Sequence, residues 1–327
     1  MNWKVDSLES LVDFLRVKGT LYAPTGEQTI RYTKIDNDLK VNLSRNSDFS
    51  AREIWQPITH YYLKLEGDDY SNLSLYPYNE NGFIVLGIRP CDIKGLKVFE
   101  RIFSKSRNFQ KLRENTILIG YSCDLPEENC FCESMGVLPT SKENMDLVLY
   151  KTDNNYIISA ESDKGYALFK NVPFEQTEFP VLPDSRKPEM KRIDIDKVME
   201  KMDNLSNDEW EDIAFSCINC RVCTYVCPCC HCFSITDETF KNTYARAVVW
   251  DSCQCKYFTR EASTYNPRHE KVARIKNRMY HKFHYFVKQN NEIMCSGCGR
   301  CISSCPSGLN LLNEISIFKT NKSEIKK

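Results

Sequence analysis

CINCRVCTYVCP at 217–228 and CSGCGRCISSCP at 295–306 repeat one spacing, Cys-x2-Cys-x2-Cys-x3-Cys-Pro. Three thiolates at two-residue gaps can wrap a tight loop around three irons of a cubane, with backbone N–H groups aimed at its sulfides. The fourth Cys starts a helix that reaches the other cluster, so ligation is crossed. This predicts one [4Fe-4S] cluster on Cys217, Cys220, Cys223 and Cys305, and a second on Cys295, Cys298, Cys301 and Cys227. At this chain's cysteine frequency, four such positions arise by chance roughly 0.002 times per chain, so two runs are not accidental. Zinc prefers paired CxxC spacings and fits a three-residue last gap poorly. Between the runs lie the 67 residues 228–294, far more than in a compact ferredoxin. That insert reads as largely helical, which points to an α-helical ferredoxin type; a βαβ ferredoxin with a long insertion is the alternative.

The chain around these runs has 327 residues, long enough for two domains. Its 42% hydrophobic and 27% charged residues suit a soluble globular protein rather than a disordered one. Lys+Arg and Asp+Glu both number 44, so no global field draws it to nucleic acid or an anionic membrane. No apolar run approaches bilayer length and no secretory h-region opens the chain. A cytoplasmic location is therefore expected, with a peripheral role only if any membrane is involved. Seventeen cysteines in such a chain imply metal rather than disulfides, and an anaerobic or low-oxygen setting.

Residues 1–90 and 133–216 contain no cysteine. The first half reads α/β. Ser7 caps a helix from Leu8 to about Val17, with Leu8, Leu11, Val12 and Leu15 on one face. FIVLGI (83–88) and TILIGY (116–121) are buried strands flanking a helix with Leu96, Phe99 and Phe103 facing inward, a βαβ unit. Residues 147–150 and 156–159 form a hairpin turned at 153–155. No dinucleotide glycine fingerprint follows either buried strand. A Pro-rich linker at 179–190 puts a boundary near 188. Beyond it, Ser206 and Glu209 form a capping box, and a helix spans 270–288 with Val272, Ile275, Met279, Phe283 and Phe286 on one side. The predicted architecture is α+β, with a mostly parallel sheet in an α/β domain (1–188) and an α-helical ferredoxin-like dicluster domain (189–327).

Nine cysteines remain. Cys91 and Cys123 each follow a buried strand, where open α/β sheets hold ligands, and Cys130 and Cys132 lie in a loop able to fold back. They form a candidate third cluster or metal site, or else four small buried hydrophobes. Cys229, Cys230, Cys232, Cys253 and Cys255 surround His231; of these Cys230, Cys232 and Cys253 are candidate further ligands, with Asp251 a non-thiolate possibility. His231 reads as a satisfied loop histidine. The 270–288 helix carries Lys271, Arg274, Lys276, Arg278, His281, Lys282 and His284, either as a solvated face or to balance cluster charge and dock an acidic partner.

Beyond the cluster runs, LYAP (21–24), GIRPCDIKGL (87–96), IGYSC (119–123), CFCESMG (130–136), CHCF (230–233) and WDSCQ (250–254) occur in an order that resembles a known family. It is that of the iron–sulfur beta subunits of cytosolic NiFe hydrogenases (sulfhydrogenases), related to the corresponding iron–sulfur chain of anaerobic sulfite reductase. The resemblance spans nearly the whole chain. It implies a non-catalytic subunit carrying electrons between a flavin subunit that oxidises NAD(P)H and a catalytic subunit with siroheme or NiFe. It also implies counterparts of Cys91, Cys123, Cys130, Cys132, Cys230, Cys232 and Cys253. Arg221 stands where Gly is common, Cys229 where Thr is common, Cys255 is unusual, and Ala262–Tyr265 replaces a Gly-rich stretch. Two other readings are a catalytic iron–sulfur reductase of a disulfide-type substrate, whose CC-G signature is missing here, and a structural protein stapled by clusters.

Overall fold

The computed structural model describes residues 1–36, 39–67, 69–75, 81–123, 126–153, 155–170, 172–178 and 193–317. The expected linker at 179–190, the boundary at 188 and Asn154 of the hairpin turn lie outside these residues. Twelve strands are described: β1 (Asn2–Val5), β2 (Leu21–Thr25), β3 (Arg31–Lys34), β4 (Thr59–Glu66), β5 (Leu73–Leu75), β6 (Ile84–Ile88), β7 (Ile117–Tyr121), β8 (Leu147–Lys151), β9 (Tyr156–Ala160), β10 (Glu175–Thr177), β11 (Phe233–Phe240) and β12 (Thr243–Trp250).

Eight strands form one sheet in the order β10-β1-β9-β8-β7-β6-β2-β3. Only the central pairings β2–β6, β6–β7 and β7–β8 are parallel. The four others are antiparallel, so the expectation of a mostly parallel sheet is corrected to a mixed one. The reason lies in the connections. Short turns such as β2–β3 and β8–β9 can join only antiparallel neighbours, whereas the helix Pro90–Ile102 carries the chain from β6 back to β7. All five residues of β6 are buried, as a strand covered on both faces requires. One face packs on Leu11 and Leu15 of the helix Leu8–Lys18 and on Phe169. The other packs on Leu96, Phe99, Phe109 and Leu112. Each such side chain contributes about 1.5–3 kcal/mol.

The insert departs from the expected helix. Residues 233–250 form a β11–β12 hairpin in which β12 pairs with β4, giving a four-stranded antiparallel sheet in the order β11-β12-β4-β5. FSITDETF and TYARAVVW alternate and are rich in Thr, Val and aromatics, which suit a pleated half-buried surface better than a helix. Strands from before and after residue 188 thus share one sheet. Helix does return at Lys271–Asn290, where a π-helical stretch at His281–Tyr285 interrupts the α-helix. Its buried side carries Ile275, Met279, Phe283 and Phe286. The capping box of Ser206 and Glu209 opens the helix Asn207–Phe215.

The first half holds the C-terminal cysteine loops by several close contacts. Gly95, inside the helix Pro90–Ile102, lets Pro228 approach so closely that a Cβ there would sit 2.5 Å from its carbonyl oxygen. A Cβ at Gly297 would likewise meet the backbone of Cys132 at 2.5 Å, and Phe131 N–H donates to the Gly297 carbonyl at 2.8 Å. Arg300, 4% exposed, grips the fully buried Asp92 with two bonds of 3.0 and 2.8 Å and donates also to the Ser47 carbonyl and Asn46 Oδ1. A buried pair of this kind adds little against an apolar substitute, but losing one partner strands the other charge. Asp92→Ala is therefore expected to cost about 3–5 kcal/mol. Asp92→Leu with Arg300→Met should cost clearly less than Asp92→Ala, and anaerobic guanidinium unfolding midpoints check the comparison.

Candidate iron–sulfur centre

The two cysteine loops are built alike. Asn219 and Arg221 adopt φ of 59° and 70°, and Gly297 and Gly299 adopt 65° and 72°. These left-handed positions turn successive N–H groups inward, as a nest for anions does. Asn219 N–H points at Cys217 Sγ (3.4 Å) and Gly297 N–H at Cys295 Sγ (3.5 Å). A short helix follows each turn, Val222–Tyr225 and Arg300–Ser303, and carries the third cysteine. None of the seventeen cysteines is joined in a disulfide. The eight of the two runs, Cys217, Cys220, Cys223, Cys227, Cys295, Cys298, Cys301 and Cys305, line one cavity. Its other walls include Phe131, Ile275, Met279 and Phe283. Among the described residues no three His, Cys, Asp or Glu side chains converge as ligands of a lone metal ion.

Two buried cations face this cavity from one side of the helix. Arg278 donates to the Cys223 carbonyl at 3.0 Å, and its Nε is buried with no hydrogen-bond partner. Lys282, in the π-helical turn, donates to Cys227 Sγ at 3.4 Å and to the Met294 carbonyl at 2.9 Å. Ion pairs to carboxylates are absent for both among the described residues. Burial alone would lower their pKa values, but sulfur charge outweighs it: Cys223 and Cys230 for Arg278, Cys227 and Cys230 for Lys282, so both rise well above the ordinary range. Burying an uncompensated cation costs several kcal/mol. The compensation here is thiolate. Burial otherwise opposes ionisation, pushing Cys295 up to about 12 and Cys301 to about 11. Thiolates are the natural state of such groups when they bind iron, so a cysteine-ligated cluster fits this donor set. Of the helix cations, Arg274 is also buried, capping the carbonyls of Gln254, Arg268 and His269. The solvated-face reading therefore fails for these three.

The other predicted residues divide into two neighbourhoods. Cys91, Cys123, Cys130 and Cys132 come together at the carboxyl edge of the parallel strands, beside the second loop: Cys130 Sγ lies 3.6 Å from the Cys298 carbonyl. Burial pushes Cys130 up to about 11 and Cys132 to about 12. On the far side, hydrogen bonds from Cys229 and Cys230 hold Cys227 well below its ordinary value, and one from Cys232 lowers Cys253 to about 6. Asp251 is engaged by Ser234 and Ser252. His231 packs edge-on against Phe99 and His281, and burial lowers it to about 4, so it is neutral at pH 7. The sequence gives no distinct sign of Arg300 or Asp92 as partners, since nothing local pairs residues 208 positions apart. The stripe of the 271–290 helix could have flagged Arg278 and Lys282, which stand one turn apart beside Ile275 and Met279.

Arg221 is the costly member of the nest, because left-handed backbone disfavours a side chain by roughly 1–2 kcal/mol. Arg221→Gly is expected to raise stability by up to about 1 kcal/mol, offset in part by added chain entropy. Arg221→Val, β-branched, should lower it, and anaerobic thermal unfolding of both variants reads the contrast.

Residues 216–309 match the model of the 4Fe-4S dicluster domain. The chain is 28% identical over 239 residues, 69% of its length and 70% of the relative's, to sulfhydrogenase 2 subunit beta of Pyrococcus furiosus. No solved structure matches. Residues 216–309 are thus a 4Fe-4S dicluster domain, in an iron–sulfur chain similar to the beta subunit of a sulfhydrogenase.

Proposed function

We propose that the chain is an electron-relay subunit, in which Cys217, Cys220, Cys223 and Cys305 hold one [4Fe-4S] cluster and Cys295, Cys298, Cys301 and Cys227 hold the other. The observation that carries this reading is the single cavity shared by all eight thiols and faced by the buried Arg278 and Lys282. When bound, the clusters supply one-electron transfer. The chain's own residues do the rest. The nests at Asn219–Arg221 and Gly297–Gly299 present N–H groups to sulfur, the apolar wall excludes water, and the two cations stabilise negative charge. In a complex, such a subunit would pass electrons between a flavin subunit that oxidises NAD(P)H and a catalytic subunit carrying NiFe or siroheme. Similarity to a sulfhydrogenase beta chain favours the NiFe branch. None of the described helices is long and apolar enough to cross a membrane.

Anaerobically purified chain should contain iron and acid-labile sulfide and give dithionite-reducible paramagnetic signals; colourless, iron-free preparations would overturn the reading. Cluster potential should respond to the cation nearest the thiols. Lys282→Met is expected to lower one midpoint potential by roughly 60–120 mV, one to two decades in the electron-transfer equilibrium. A redox titration followed by electron paramagnetic resonance measures it. An unchanged potential with iron retained would show that Lys282 serves packing alone.

A further inference from the structure

We infer that Cys91, Cys123, Cys130 and Cys132 bind a third iron–sulfur centre at the carboxyl edge of the parallel strands, against the loop that carries Cys298. The course of the chain and the neighbouring groups support it. The cysteines arrive from three separate segments: the start of the helix Pro90–Ile102, the end of β7, and the Cys130–Cys132 loop. Chance packing has no reason to bring the first half's entire complement of cysteine around Cys123, which lies within electrostatic reach of the other three. Three of the four are buried and Cys123 is half-buried.

Polar donors and a buried cation surround the site. The Asn46 side-chain amide donates to Cys91 Sγ at 3.7 Å, and Cys91 stands in the first turn of a thirteen-residue helix, where the N-terminal dipole favours a thiolate. Burial and the neighbouring Asp92 push the Cys91 thiol up, and the buried Arg300 guanidinium, on the second cysteine loop, opposes them. Buried donors likewise surround the eight dicluster cysteines, which also do not converge on a lone-ion geometry among the described residues. Four thiolates of this kind suit an iron–sulfur centre. Contact with the Cys298 loop would set it beside the dicluster, so its role rests on the relay reading while its existence does not.

Iron, zinc and sulfide counts on anaerobically purified full-length chain test the proposal. Two cubanes account for about eight irons, so a third centre should bring the wild type to about ten to twelve. Cys130→Ser with Cys132→Ser should return the count to about eight with the dicluster signals intact. Cys123→Ser, at the least buried of the four, should give the same loss and guards against a misfolded double variant. Cys232→Ser with Cys253→Ser should leave the count unchanged. About eight irons in the wild type, or zinc in place of the extra iron, overturns the proposal. So does a high count that survives the Cys123 and Cys130/Cys132 changes. A wild type well below eight irons would instead sink the dicluster reading, so the two failures are distinct.

Discussion

Three buried cations govern how this chain is put together. Arg278, Lys282 and Arg300 are each at most 5% exposed, and each must find negative charge inside the protein or make the fold prohibitively costly. Arg300 finds it in Asp92, more than two hundred residues away, and that pairing binds the second cysteine loop to the turn after β6. Arg278 and Lys282 find no carboxylate among the described residues and face sulfur instead. Their burial is therefore conditional on thiolates. This couples folding of the C-terminal region to the state of its cysteines, in the way that structural metal sites couple binding to folding.

The same charges explain the mutual dependence of the two halves. A ferredoxin-like loop of twelve residues has little core of its own. Here its walls are borrowed: Pro228 rests on the backbone at Gly95, and the second loop lies on the backbone of residues 129–132. Arg52, fully buried, stacks 3.8 Å over the ring of Trp250 and donates to the Thr224 carbonyl, tying the β11–β12 hairpin to the first loop. With β4 and β5 completing the hairpin's sheet, the insert becomes a bridge between halves rather than a helical spacer.

The cysteine runs, the βαβ unit and the amphipathic helix at 271–290 are all legible in the sequence because each depends on local spacing: ligand gaps, a period of two or none, a period near 3.6. The hairpin at 233–250 is readable in principle, since Thr243–Trp250 is rich in β-branched residues; the cysteines crowding it point instead toward a helical ferredoxin insert. The balance of parallel and antiparallel strands is not readable, because β1 pairs with β9 and β10 across more than 150 residues. Among the site residues, thiols announce themselves by pattern. Cations do so only through helical position: Arg278, beside the apolar stripe, is buried, while Lys276, off it, is half-exposed.

Exposure distinguishes the two ends of the cysteine cavity. Cys220 is the only exposed cysteine of the seventeen, and Phe215 and Ile218 beside it are 84% and 64% exposed. The second loop is the opposite case, roofed by residues 129–132 and locked by Arg300. For a relay this asymmetry has a physical consequence. A centre at the first loop lies nearer water, where solvent stabilises added charge, while one at the second loop depends on Lys282 and on its backbone donors for the same stabilisation. The two loops share a sequence pattern and a backbone conformation, so any difference in their affinity for an electron must come from these surroundings, which residues 129–132 and the helix bearing Lys282 supply.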